Sequence, residues 1–211
     1  MRMLNVAAAV AVVSGLLAGV APGWAQEARR GNTVHAVIQP EPPGLMQALH
    51  QNAPTNTIAG NIYESLLRYD ENLKPQPSLA KSWEVSDDAK VYTFTLQDGV
   101  TWHDGTPFTA DDVVFSLDKF LRDVHPRWRH IANNQISAIE KVGENAVRIT
   151  LKQPFGPLLL AMEPAGAPIV PKHIYEGTDY RANPANNTPI GTGPFKLQEW
   201  RRGSFIHLTR N

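Results

Sequence analysis

Between Trp102 and Val113 the sequence reads WHDGTPFTADDV, placing one histidine and three aspartates within twelve positions. Imidazole beside carboxylates is the composition of a metal site or an acid–base pair. The spacing supports neither. A helical zinc pair needs a second ligand four residues from the first, and Pro107 occupies that position after His103. Asp104-Gly105 is a turn dipeptide with Pro107 just behind it. Thr109-Ala110-Asp111-Asp112 matches a capping box, with Thr109 as N-cap and Asp112 at the third helical position. Both acids then lie in the first helical turn, where the positive end of the dipole favours them. Val113, Val114, Leu117, Phe120 and Leu121 follow as the buried stripe of that helix. Each aspartate therefore has local structural work, and the stretch reads as scaffolding. His103 is left without a partner.

The other candidates for chemistry are sparse. His125 and His130 flank Pro-Arg-Trp-Arg, and an i, i+5 spacing interrupted by proline fits a helical metal site poorly. No G-x-S-x-G elbow, H-E-x-x-H motif or cysteine is present, and Ser65, Ser78 and Ser82 lie in contexts without a nucleophile signature. No catalytic residue, metal ligand or cofactor is assigned. The 20 basic and 20 acidic residues are evenly spread, which argues against nucleic acid as a partner.

The first residues bound the compartment. Arg2 precedes an apolar run from Val6 to Val20, followed by Ala-Pro-Gly-Trp-Ala with small residues at Gly23 and Ala25. That is the pattern of a secretory signal peptide over 1–25, cleaved after Ala25, and the run is too short to span a bilayer. The absence of cysteine excludes disulfides and a lipid-bearing cysteine. The expectation is an unlipidated protein exported to the periplasm.

Thr33–Ile38 reads as a β-strand rich in β-branched residues, closed by Gln39-Pro40-Glu41-Pro42-Pro43-Gly44, where three prolines enforce a stiff extended loop. A helix is expected from Thr57, capped by Thr57 or Asn56, with Ile58, Ile62 and Leu66 on one face and Tyr63 and Leu67 widening it. Leu79–Glu84 is an apolar patch anchored by Trp83. Val91–Leu96 alternates as a strand, and Asp98-Gly99 suggests a turn into a second strand at Val100–Trp102. Ile136–Val142 and Ala146–Leu151 form a hairpin across Gly143-Glu144-Asn145. Pro171 opens a short helix as its first residue. The tail, GTGPFKLQEW, runs into a strand, turns at Arg201-Arg202-Gly203 and starts another strand at Ser204. Trp83, Trp102 and Trp200 are expected as packing anchors.

Together, YESLLRYDENLKPQPSLAKSWEVSDDAKVYTFTLQDGVTWHDGTPFTADDVVFSLDK and PIGTGPFKLQEWRRGSFIHLTRN resemble the family 5 extracytoplasmic solute-binding proteins, the dipeptide- and oligopeptide-binding type that serves ABC importers. The resemblance covers nearly all of the chain after residue 25, and several motifs occur in the family's order. It implies a mixed α/β (α+β) fold, lobe I of a two-lobed periplasmic-binding-protein-like fold (type II) with an inserted hairpin-rich subdomain. On that pattern residues 26–50 begin the lobe I sheet core, 51–180 form the inserted subdomain, and 181–211 return to the core. The segments near 31–50 and 188–211 would share a sheet. The second lobe is missing from these residues, so the expected receptor is incomplete.

The function the resemblance implies is binding of a peptide-like small solute and its delivery to inner-membrane ABC permease subunits, by a monomer without enzymatic activity. The residues expected at the solute are Gln39, Glu41, Pro42 and Pro43, because loops at strand ends of an α/β lobe face its cleft and proline stiffness lowers the ordering cost. Asn61, on the helix that follows, is expected beside them. Glu41 could meet a cationic group or stand as a solvated surface glutamate. A fragment without independent function and an exported hydrolase are the alternatives.

Overall fold

The computed structural model describes residues 33–211, so the expected signal peptide lies outside the described residues. The chain divides into two units, Met1–Val37 and Ile38–Asn211, and every element below belongs to the second. The strand expected over Thr33–Ile38 is not formed. Its residues enter no strand, and Val34 and Val37 are each 89% exposed. Branched side chains favour the extended backbone, but a strand also needs a ladder partner.

Helix α1 spans Ala53–Ala59, earlier and shorter than expected, with Asn52 as N-cap accepting from Thr55 N at 2.9 Å. It stops at Gly60, although Ile62, Tyr63, Leu66 and Leu67 beyond it are fully buried. The reason lies in their backbone. The carbonyls of Asn61, Ile62, Ser65 and Leu66 accept from Phe195, Gly193, Leu79 and Ala80. Tertiary partners thus take the oxygens a longer helix would need, and the apolar spacing marks burial rather than helix.

Strands β1 (Leu67–Tyr69) and β2 (Pro75–Pro77) form a small antiparallel ribbon. The main sheet is four-stranded and antiparallel in the order β3 (Ala80–Val85), β4 (Val91–Leu96), β6 (Ala146–Leu151), β5 (Ile136–Val142). Tyr92, Phe94 and Leu96 of β4 point into the core with Val147, Ile149 and Leu151 of β6, as the alternation dictates. The turn at Asp98-Gly99 does not lead to a partner for β4. Both edges of β4 are already occupied by β3 and β6, and Thr101 makes only an isolated bridge to Pro107.

Helix α2 (Ala110–Phe115) continues through a π-helical turn, Ser116–Phe120, into α3 (Leu121–Val124), and α2 packs on β5 and β6. Helix α4 runs from Pro126 to Gln135. The buried Trp128 indole donates to Leu117 O at 2.7 Å, joining α4 to the helical run before it. Helix α5 is a single turn, Lys172–Tyr175, with Pro171 at the N-cap rather than inside. The hairpin β7 (Phe195–Arg201) and β8 (Phe205–Arg210) turns at Gly203, whose φ of +70° suits glycine. Trp102 and Trp128 are buried core residues, whereas Trp83 and Trp200 are partly buried at its margin.

Candidate functional site

The proline-rich loop is held by the far end of the chain. Glu41 accepts from the Trp200 indole Nε1 at 2.9 Å and from the Gly203 backbone N–H at 3.0 Å. The Arg202 guanidinium donates to Pro42 O at 3.1 Å, Pro43 O at 3.2 Å and Asn187 Oδ1 at 3.1 Å. It also stacks 3.5 Å above the Trp200 ring, a cation–π contact. The expected shared sheet between 31–50 and 188–211 is thus replaced by a side-chain clasp at the β7–β8 turn. Three prolines cannot supply a ladder of N–H donors, so the loop's carbonyls are met by a guanidinium.

Beside the clasp lies an open depression of about 390 Å³, lined by Asn187–Ile190 on one side and Leu197–Trp200 with Arg202 on the other. Gln39 and Pro43 are exposed and Pro42 is buried. Glu41 is committed to Trp200 and Gly203, so its carboxylate braces the loop and is neither a free partner for a cationic group nor a merely solvated surface glutamate. Burial and the nearby Arg202 charge hold His50 below the ordinary imidazole range. Asn61 is not brought to this loop. Its amide donates to Thr57 O at 2.8 Å, and its carbonyl accepts from Phe195 N, at the opposite end of β7 from the clasp. That separation is roughly 20 Å for a seven-residue strand.

His103, which lacked a partner in the sequence, joins the GTG segment there. Its Nδ1 accepts from Gly191 N–H at 3.2 Å, and its Nε2 lies 2.9 Å from Gly193 O. An amide N–H only donates and a carbonyl only accepts, so the ring is the neutral Nε2–H tautomer. Burial holds it in that state by pushing its pKa down, with Lys196 adding to the effect. The glycines are needed because the chains nearly touch: a Cβ on Gly191 would lie 1.9 Å from Ile62 O.

The aspartates of the opening stretch are all engaged in structural contacts, some local and some distant in sequence. Asp112 accepts from Thr109 N at 2.8 Å in the capping box and from Lys172 N at 2.9 Å, so it caps two helices. Asp111 pairs with Lys141 at 2.9 Å, and Asp104 accepts from His173 at 2.8 Å. His125 is the buried N-cap of α4, its Nδ1 accepting from Trp128 N at 3.0 Å, while His130 contacts Asn134 on the surface. Among the described residues no group of three His, Asp, Glu or Cys side chains is placed to hold a metal. The Ser65 hydroxyl is buried against Ala167 O at 2.7 Å, and Ser78 faces Glu64 at 3.3 Å. No described helix is long and apolar enough to cross a membrane.

The clasp itself was not visible in the sequence. Arg201-Arg202-Gly203 reads only as a turn, and nothing local links it to residues about 160 positions earlier.

Comparison with known proteins matches this architecture. The family described as bacterial extracellular solute-binding proteins, family 5 Middle, matches residues 74–211. The glutathione-binding protein GsiB of Salmonella typhi is 32% identical over 158 residues, covering 74% of this chain and 30% of that protein. The oligopeptide-binding protein AppA of Bacillus subtilis (strain 168) is 34% identical over 174 residues, covering 80% of this chain and 32% of that protein. The structure of NikZ from Campylobacter jejuni in complex with Ni(L-His) superposes with a TM-score of 0.70 at 34% identity, covering 81% of this chain and 34% of that one. The chain therefore spans about a third of the length of these relatives. Its mixed α/β fold is that of periplasmic binding proteins, and the chain belongs to family 5 of the bacterial extracellular solute-binding proteins.

Proposed function

We propose that these residues build one wall of a solute receptor for an ABC importer, taking a peptide-like solute and passing it to permease subunits in the inner membrane. The observation that carries the reading is the clasp: Glu41, Trp200 and Arg202 hold the Gln39–Pro43 loop rigid beside an open depression. A rigid, one-sided surface suits a ligand that a second wall must cover, since small-molecule sites bury most of the ligand. Gln39 and Pro43, both exposed, are the proposed contacts, with Glu41 as their brace, and the buried Pro42 is left out of the contact set. Asn61, committed to Thr57 at the other end of β7, is left out of the contact set. The peptide class is supported by the names of GsiB and AppA, which bind glutathione and oligopeptides.

The remaining parts of the reading follow the family. Within the second unit, residues 38–50 and 181–211 form the lobe core, joined by the clasp, and 51–180 its inserted subdomain. The protein is a periplasmic monomer, exported by residues 1–25 with cleavage after Ala25, and it does no catalysis. Thermal melts of the purified chain with trialanine, glutathione or a nickel–histidine complex test this. A peptide receptor wall is stabilised by about 3 °C when trialanine or glutathione is well above its dissociation constant. Stabilisation by nickel–histidine alone would transfer the site to another solute class, and hydrolysis of trialanine would replace binding with catalysis.

A further inference from the structure

The β7–β8 hairpin is fastened at two ends. Its turn is held by the Glu41 and Arg202 clasp, and its base by a node where four segments meet. In that node Gly193 N donates to Ile62 O at 2.9 Å, Phe195 N to Asn61 O at 3.1 Å and His103 N to Gly191 O at 2.8 Å. The His103 ring closes the node by engaging both glycines, one through each nitrogen. The Asn211 side chain also donates to Gly193 O, at 3.1 Å.

We propose that His103 is a proton-sensitive latch that seats the base of the β7–β8 hairpin. The only place for a second proton on the ring is Nδ1, the atom that accepts the Gly191 N–H. Protonation therefore turns an acceptor into a donor facing a donor, and the bond is lost. Two charged groups face the ring. Lys196 on β7 reaches His103 O at 3.4 Å and repels an imidazolium. Asp104 attracts one, but its carboxylate already accepts from His173 of α5 at 2.8 Å and from Thr106 N at 2.9 Å. The glycines cannot shift inward to recover the bond, because Ile62 fills the space behind both. The segment must swing outward, carrying the base of β7 with it while the clasp holds the turn. The consequence for solute binding rests on the function proposed above. The latch itself does not.

Amide hydrogen exchange, corrected for the intrinsic pH dependence of exchange, tests the latch without any ligand. In the wild-type chain the protection of Gly193 and Phe195 falls about tenfold relative to β4 and β6 between about pH 7.5 and pH 5. In His103→Asn the side-chain oxygen still accepts from Gly191 but does not titrate, so the relative protection changes by less than about twofold. No loss in the wild type, or an equal loss in the variant, overturns the proposal. If the variant fails to fold, the ring nitrogens of the wild type decide. Their NMR shifts must report the Nε2–H tautomer at neutral pH, and their titration midpoint must coincide with the loss of protection. A separate midpoint overturns the latch.

Discussion

Gly191 and Gly99 are both glycine for different reasons, and the difference is measurable. Gly99 has φ +70° with open space around it, so alanine there meets only the left-handed backbone penalty, about 1 kcal/mol. Gly191 has a carbonyl 1.9 Å from where a Cβ would be, so alanine must push two backbone segments apart. Gly191→Ala is expected to lower stability by about 3 kcal/mol or more, and Gly99→Ala by about 1 kcal/mol, read as shifts in the urea midpoint. Equal costs would contradict the close approach. The same contrast explains which residue roles the sequence disclosed. Asp112 and Thr109 are three apart, so their capping box is a local pattern. His103 finds its glycines 88 and 90 residues away, and no periodicity announces such a meeting.

At the scale of elements, strands were legible where the pattern was local. Val91–Leu96 follows strict alternation, and the Ile136–Leu151 hairpin follows its glycine turn, signals that act over a few residues. The helix expected from Thr57 misled because burial at Ile62, Tyr63 and Leu66 arises from tertiary contacts around an irregular segment. Histidines at element junctions give the elements a common pH response. His103, His50 and His125 are each held below the ordinary imidazole pKa, with burial the leading cause. The unfolded chain therefore binds more protons than the native state once pH falls toward about 6.5, and the stability they contribute is lost on further acidification. Urea midpoints are expected to be level above about pH 7.5 and to decline between about pH 6.5 and pH 5. A midpoint that rises across that interval would contradict the buried neutral rings.

For the molecule as a whole, the family was legible because many ordinary motifs occur together, whereas only one part of the candidate site has a local signature. The proline loop stands out by composition, but its brace and the depression beside it come from residues 187–202, on the far side of the four-stranded sheet in sequence. Long-range assembly of that kind leaves no local trace. The central claim is that this loop and this depression form one wall of a peptide-solute site. The most direct measurement is a two-dimensional amide NMR titration of the purified chain with trialanine. The account predicts saturable shifts at Gln39, Glu41, Asn187, Thr188, Ile190 and Trp200–Arg202, with half-saturation at about millimolar peptide because a single wall leaves the ligand half-exposed, and no released alanine. Shifts confined to the β3–β6 sheet, no shifts at tens of millimolar peptide, or accumulation of free alanine would contradict it.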